Sequence, residues 1–455
     1  MQRALRIAFI LAIAPVLLAK QRPSKQYTIE QFMNTIAVGG ASFSPDEKEI
    51  LFSSDETGVR NVYTIPVTGG KAKALTTSTT DTTTAISYFP NDTRFLYTRD
   101  NGGNELNHLY VREKDGTERD LTPGDKLKAS FGGWSGDKKS FFVITNERDP
   151  KFFDVYRYDT NTYERKMLYK NEGGHHIDGI SRDGAWLALG KTISTADNDL
   201  FVYDVAKNEL KKISEHKERA EFEASDFDPA SKWLYFTTND GSEFKRVRRY
   251  ELATGKIEDV EKAEWDIWSS YFSENGAHRI TVINEDARTT VRVRDAKTGK
   301  PVELPKFPGA NVNSVKFSRS GKLLALYVDA DRAPTNLYVH DLTTGKTTRL
   351  TDTLSKDVDP EDLVDSQVVR FKSFDGMIVP GILYKPHQAT PDAKAPAIVM
   401  VHGGPGGQAR EGYNALVQFL ANHGYVVLDV NNRGSSGYGK TFFMADDQKH
   451  GKEPL

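Results

Sequence analysis

Apolar and polar residues alternate with period two in short runs along most of the chain, and the runs recur in a fixed order. Each cycle opens on an apolar or aromatic residue, passes a small polar turn and enters an alternating strand. A polar loop, another strand and a second turn follow. Seven segments carry this order: "SFSPDEKEILFSS", "SYFPNDTRFLYTR", "GGWSGDKKSFFVIT", "DGISRDGAWLALG", "SDFDPASKWLYFT", "SYFSENGAHRITV" and "VKFSRSGKLLALY". Aligned on the residue before the turn they fall at Ser44, Phe89, Ser135, Ser181, Asp228, Ser273 and Ser318, spacings of 45, 46, 46, 47, 45 and 45 residues. Second hairpins such as "LYVREKDGTERDLT" and "LYVHDLTTGKTTRLT" place turn residues tolerant of positive φ between two further strands. The period therefore predicts four short strands per repeat.

A four-stranded unit of this length cannot bury both of its faces alone, and radial stacking into a β-propeller is the closed solution. Seven blades are expected. The aromatic near each repeat start (Phe43, Tyr88, Trp134, Phe227, Phe272, Phe317) reads as packing between blades, with Ile180 in its place in the fourth repeat. Trp265-Asp266 does not recur with the repeat, so no tryptophan–aspartate blade signature is present.

The pattern changes after residue 355. "QVVRFKSFDGMIVPGILYKP" reads as two alternating strands joined at Asp375-Gly376, and "AIVMV" as a strand covered on both faces. From Tyr413 to His423 the residues Tyr413, Leu416, Val417 and Leu420 share one helical face, with Gly424 at the C-terminal cap; "YVVLDV" supplies another buried strand. Strand, glycine loop, helix, strand is a βαβ crossover with parallel pairing.

The glycine loop is "HGGPGG", directly after the first buried strand. Glycines at a strand's C-terminal end let backbone N–H groups turn toward a developing oxyanion. A tight strand-to-helix turn without chemistry fits the local residues equally well. The loop has neither the Gly-Lys-Ser/Thr ending of a phosphate loop nor the spacing of a dinucleotide fingerprint.

Composition narrows the partners. With 61 Lys plus Arg against 63 Asp plus Glu, there is no electrostatic footprint for nucleic acid or an anionic membrane. There is no cysteine, hence no disulfide and no lipid-modified N-terminal cysteine. Arg3 and Arg6 precede an apolar run from Ile7 to Ala19, the pattern of a signal peptide over residues 1–19, with Leu17 and Ala19 flanking the expected cut. An exported protein, periplasmic or secreted, with no membrane anchor after cleavage is the expectation. His175, His176 and Asp178 in "HHID" are a fragment of a metal-site pattern, but neighbours on a strand point to opposite faces, so no metal or other cofactor is expected.

A propeller repeat leading into "VMVHGGPGGQ" and "DVNNRGSSGYGKTF" resembles the prolyl oligopeptidase family of serine peptidases, in its acylaminoacyl-peptidase-like branch. The resemblance implies a multidomain fold: a seven-bladed β-propeller over 27–355, then the N-terminal part of an α/β-hydrolase domain over 356–455. It implies peptide substrates, an acyl-enzyme, and a propeller that admits peptides rather than folded proteins. By resemblance Gly404, with Gly403 beside it, contributes to the oxyanion hole. His402 stands where some relatives present a tyrosine hydroxyl, and the loop Asn431–Gly439, with Arg433 and Tyr438, shapes the site; Arg433 reads as a structural ion pair rather than a substrate contact. No serine lies in a Gly-x-Ser-x-Gly elbow: Ser135, Ser181 and Ser436 each match one side only. The acid and the histidine of a triad follow that elbow in hydrolase chain order, so His402, His423 and His450 are not assigned to one and the triad is expected beyond Leu455. The chain has no adjacent Glu-Glu pair of the kind that grips a substrate's N-terminal amine in some relatives. Rival readings are an exported propeller that binds or scaffolds partners, and an esterase of the same hydrolase fold.

Overall fold

A computed structural model describes residues 25–404 and 406–449, so the expected signal peptide and His450 lie outside the described residues. Between residues 38 and 349 the chain forms seven successive four-stranded antiparallel sheets, each a meander in chain order. Their first strands are Val38–Phe43, Thr83–Tyr88, Ala129–Trp134, His176–Ile180, Phe222–Phe227, Asp266–Phe272 and Asn311–Phe317.

One local device explains the recurring anchor. In five sheets a serine before the first turn donates its hydroxyl to the side chain two residues on or shares a hydrogen bond with it, as in Ser44 to Asp46 (2.7 Å) and Ser181 to Asp183 (2.6 Å). The same hydroxyl accepts the N–H five residues on, for example Trp186 N at 2.9 Å from Ser181 Oγ. In the fifth sheet the Asp228 carboxylate accepts Lys232 N and Trp233 N directly, both at 2.6 Å. The residue three beyond the anchor adopts positive φ at Glu47, Lys138, Gly184, Ser231, Gly276 and Gly321. The turn geometry is thus held by side-chain acceptors even where glycine is absent.

Every first strand also carries a register shift against its neighbour, as between Ala224 and Asp226 or Ile267 and Ser269. Such bulges re-aim side chains. The first and seventh sheets share one apolar cluster that includes Phe43, Ile65, Tyr327 and Val339, and the Tyr327 hydroxyl donates to Gly40 O at 2.5 Å. Phe43, Tyr88, Phe227 and Phe317 are buried between sheets. Trp134 and Phe272 are only partly buried, because they also line a cavity inside the ring.

The eighth sheet runs Ser366–Lys372, Ile378–Tyr384, Val426–Val430, Ala397–Val401 in space, with the last two strands parallel. The hairpin tip holds Gly376 at φ 88, with Ser373 N bonded to Met377 O at 2.9 Å, so three residues form the turn rather than two. Ala397–Val401 is not covered on both faces as its sequence suggests. It is an edge strand among the described residues, and Val399 (62 % exposed) and Val401 (49 % exposed) face out. The crossover helix is Ala415–Asn422. It starts after Tyr413, because the Asn414 side chain caps Val417 N at 3.2 Å; Tyr413 instead packs beside Phe32 and bonds Thr35. Leu416 is exposed, and the buried face is Val417, Gln418, Ala421 and Asn422.

Those two buried amides are structural fasteners. Gln418 Nε2 donates to Asp331 O (2.9 Å) and Val364 O (2.8 Å), while its Oε1 accepts Val364 N at 3.0 Å. Asn422 accepts Tyr27 N (3.0 Å) and donates to Lys25 O (2.8 Å). The short helix Ile29–Met33, closed by a Thr28/Gln31 capping box, therefore docks on the crossover helix through Phe32 and Phe419, not on a propeller-type sheet. No described helix is long and apolar enough to cross a membrane.

Candidate active site

The parallel strand pair ends at Val401 and Val430, and the two loops leaving it face each other. The first is the glycine loop. Gly404 sits at φ 110, which a side-chain-bearing residue rarely adopts. At Gly407 an added Cβ would meet Gly403 O at 2.7 Å and His402 Nδ1 at 2.8 Å, and at Gly406 the Phe443 ring at 2.7 Å. Gly403 has open space where a Cβ would be. The loop is therefore closed from behind and open in front. Gly403 and Gly404 are exposed, and neither N–H donates to an acceptor among the described residues. Backbone donors without an acceptor among the described residues, on exposed glycines at a strand end, can serve as an anion cradle.

The second loop, 431–439, backs the first. Asn431 is fully buried and exchanges hydrogen bonds with Ala409: Ala409 N to Oδ1 at 2.7 Å and Nδ2 to Ala409 O at 3.0 Å. Ser435 Oγ lies 2.6 Å from Asn432 O and 2.8 Å from His402 Nε2, while His402 Nδ1 lies 3.2 Å from Gly403 O. This serine–histidine pair has the spacing of a nucleophile and its base, but Ser435 is wholly buried and stands outside any Gly-x-Ser-x-Gly elbow. It positions His402. Asp429 lies near His402; its burial pushes the carboxyl up, partly offset by the imidazole.

Arg433 is 1 % exposed, pairs with Asp375 at 2.5 Å and lies 4.5 Å from the Phe374 ring centroid. It ties the loop to the tip of the hairpin. Asp375 is held below the usual carboxylate range, first by the Met377 N–H and then by Arg433. The Tyr438 hydroxyl accepts Asn431 Nδ2 at 3.0 Å, and burial pushes its pKa up. Its ring meets Trp265 edge-on, with centroids 6.0 Å apart. Of the sequence-derived residues, His402, Gly403 and Gly404 share the strand end, Tyr438 stands at the boundary with the sixth sheet, and Arg433 points away into the hairpin.

Sequence reasoning missed the groups that seat this site against the ring. Arg410 donates to Asn284 Oδ1 (2.5 Å), Gln408 Oε1 (2.8 Å) and Thr289 Oγ1 (2.8 Å), and lies 4.4 Å from the Trp268 ring centroid. Trp268 occupies the bulge of the sixth sheet. Glu243 of the fifth sheet's loop accepts Thr441 N and Thr441 Oγ1, both at 2.8 Å. A side chain at Gly437 would collide with Asn284 Nδ2 at 2.2 Å, so the close approach requires glycine there. Such contacts carry no local sequence signal.

A family model described as the prolyl oligopeptidase N-terminal beta-propeller domain matches residues 74–353. Dipeptidyl aminopeptidase BIII of Pseudoxanthomonas mexicana is 29 % identical over 420 residues, covering 88 % of this chain and 60 % of that protein. Among solved structures, a prolyl endopeptidase analysed for inter-domain dynamics superposes with TM-score 0.73 at 18 % identity, covering 92 % of this chain and 65 % of that one. An acylaminoacyl peptidase of Pyrococcus horikoshii gives TM-score 0.68 at 16 % identity, covering 94 % and 70 %. The chain thus spans about three fifths of the length of the curated relative.

Proposed function

Because this chain belongs to the prolyl oligopeptidase family, we propose that it serves a serine-type peptidase that hydrolyses peptides through an acyl-enzyme. In this reading the seven sheets are blades of one propeller, the eighth sheet is the start of an α/β-hydrolase domain, and Gly403 and Gly404 supply oxyanion donors. The observation that carries it is the pair of exposed glycines, Gly403 and Gly404, whose N–H groups have no acceptor among the described residues, on the loop at the end of a parallel strand. The oxyanion of a tetrahedral intermediate is stabilised by such preorganised donors, because they need no reorientation as charge develops.

The nucleophile is a separate part of the proposal. None of the serines sits in a Gly-x-Ser-x-Gly elbow, and Ser435 is wholly buried. These 455 residues alone should therefore form no acyl-enzyme. We also propose export, on the basic and apolar pattern of residues 1–19.

A fluorophosphonate probe tests both parts. The protein purified from its native source should cleave chromogenic peptide substrates and be labelled on one serine, whereas residues 1–455 alone should stay unlabelled. Labelling of a specific serine within residues 1–455 would overturn the nucleophile assignment. A native protein that neither reacts nor cleaves would overturn the peptidase reading.

A further inference from the structure

The antiparallel meander puts the turns between first and second strands on the face of the ring opposite the α/β segment, which docks on the turns between second and third strands. On that far face, charged side chains bridge several sheets, most of them not neighbours. Lys138 of the third sheet pairs with Glu274 of the sixth at 2.7 Å, and Arg319 of the seventh reaches the same carboxylate at 3.1 Å. Arg319 also donates to Pro90 O and Phe89 O of the second sheet. Arg182 of the fourth spends its guanidinium on Glu274 O (2.7 Å) and Ser273 O (2.9 Å).

Above this lattice lies a cavity of about 560 Å³. Ile86, Phe131, Trp134, Ile180, Phe272 and Val315 give it an apolar and aromatic wall. Its charged lining does not balance. Lys138 and Arg319 already satisfy Glu274, and Asp226 accepts Phe272 N at 2.8 Å. Lys316 reaches the cavity from the first strand of the seventh sheet, and its side chain makes no hydrogen bond or ion pair among the described residues. Its burial lowers its pKa, with Glu274 only partly offsetting that effect and Arg319 adding to it. A buried ammonium with no carboxylate in direct contact is costly, so burial drives the amine toward its neutral form, and a bound anion restores the charged one.

We propose that this cavity binds a carboxylate attached to an apolar or aromatic group, in biological form the C-terminal residue of a short peptide, with Lys316 as its counter-ion. The volume suits a ligand of that size, and the aromatic wall selects against a bare inorganic anion, which would leave it unfilled. The site is remote from Gly404 and needs no nucleophile, so it goes beyond the peptidase reading and stands or falls separately from it.

Isothermal titration of the chain with N-acetyl-phenylalanine and with its carboxamide decides the matter. The acid should bind saturably and the amide about tenfold more weakly, the scale of one lost charge-assisted hydrogen bond. Lys316→Met should weaken the acid to the level of the amide and leave the amide unchanged, while Lys316→Arg should retain acid binding. Equal binding of acid and amide, absence of saturable acid binding in the millimolar range, or displacement of the acid by equimolar inorganic phosphate would each overturn the assignment. Should Lys316→Met fail to fold, the acid–amide comparison on the unaltered protein remains decisive.

Discussion

Gly404 owes its place to φ 110 and to the open space in front of it. A β-branched side chain there strains the backbone and displaces the N–H. On the proposed oxyanion role, Gly404→Val in the native protein should lower kcat about a hundredfold with little change in KM, the usual cost of losing one oxyanion donor; steady-state kinetics on a peptide anilide read it. Asp226 illustrates a different residue-level cost. Burial, only partly offset by the Phe272 N–H and Arg182, pushes its carboxyl up to about 6. The unfolded carboxyl titrates near 4, so between those values the unfolded chain releases a proton that the folded one keeps. The contribution of this carboxyl to stability is full below about pH 4, falls as pH rises through 6, and is flat above. Asp226→Asn removes that loss. Urea melts should therefore show its stability relative to the unaltered protein improving by roughly 2–3 kcal/mol from pH 4 to pH 8.

At the level of elements, the repeated turn was legible because its chemistry is local. A serine with an acceptor two residues on, or an aspartate in its place, and an N–H five on recur with the same spacing in the sequence and in the hydrogen bonds. Ser231 holds the positive-φ position of that turn at φ 52 without being glycine. Ser231→Gly should raise stability by about 1 kcal/mol, because glycine carries no Cβ penalty in the left-handed region; a chemical melt showing no gain would mean that the turn is not strained. The crossover helix was legible only in part. Its period marked a face, but the buried partners Gln418 and Asn422 are polar and satisfy backbone groups of residues 364, 331, 25 and 27. A hydropathy pattern counts such amides as solvent-facing. The bulges of the first strands were not legible either, since the alternation they interrupt shifts by one residue and resumes.

Across the whole molecule, the glycine loop gains its orientation from the ring, and the ring gains a lid from the loop. The glycines and the 431–439 loop could be picked out from composition and resemblance, but their seating depends on residues far away in the chain that meet only after folding. Arg410 is the centre of that seating, joining Asn284, Thr289 and Trp268 of the sixth sheet to Gln408 beside the glycine loop. Gly437 lies against the same Asn284, so both loops register on one side chain. Arg410→Ala removes the cation from a buried polar group and leaves Asn284 Oδ1 without this donor, a loss of about 3 kcal/mol at the junction. The sheets keep their own cores, their ladders and the Tyr327–Gly40 contact that joins the seventh sheet to the first. Hydrogen exchange should consequently quicken at residues 402–412 and 431–439 and stay unchanged in the second strands of the seven sheets. Faster exchange in those strands as well would show that ring and loop unfold as one cooperative body, in which case Arg410 holds the fold and not merely the site.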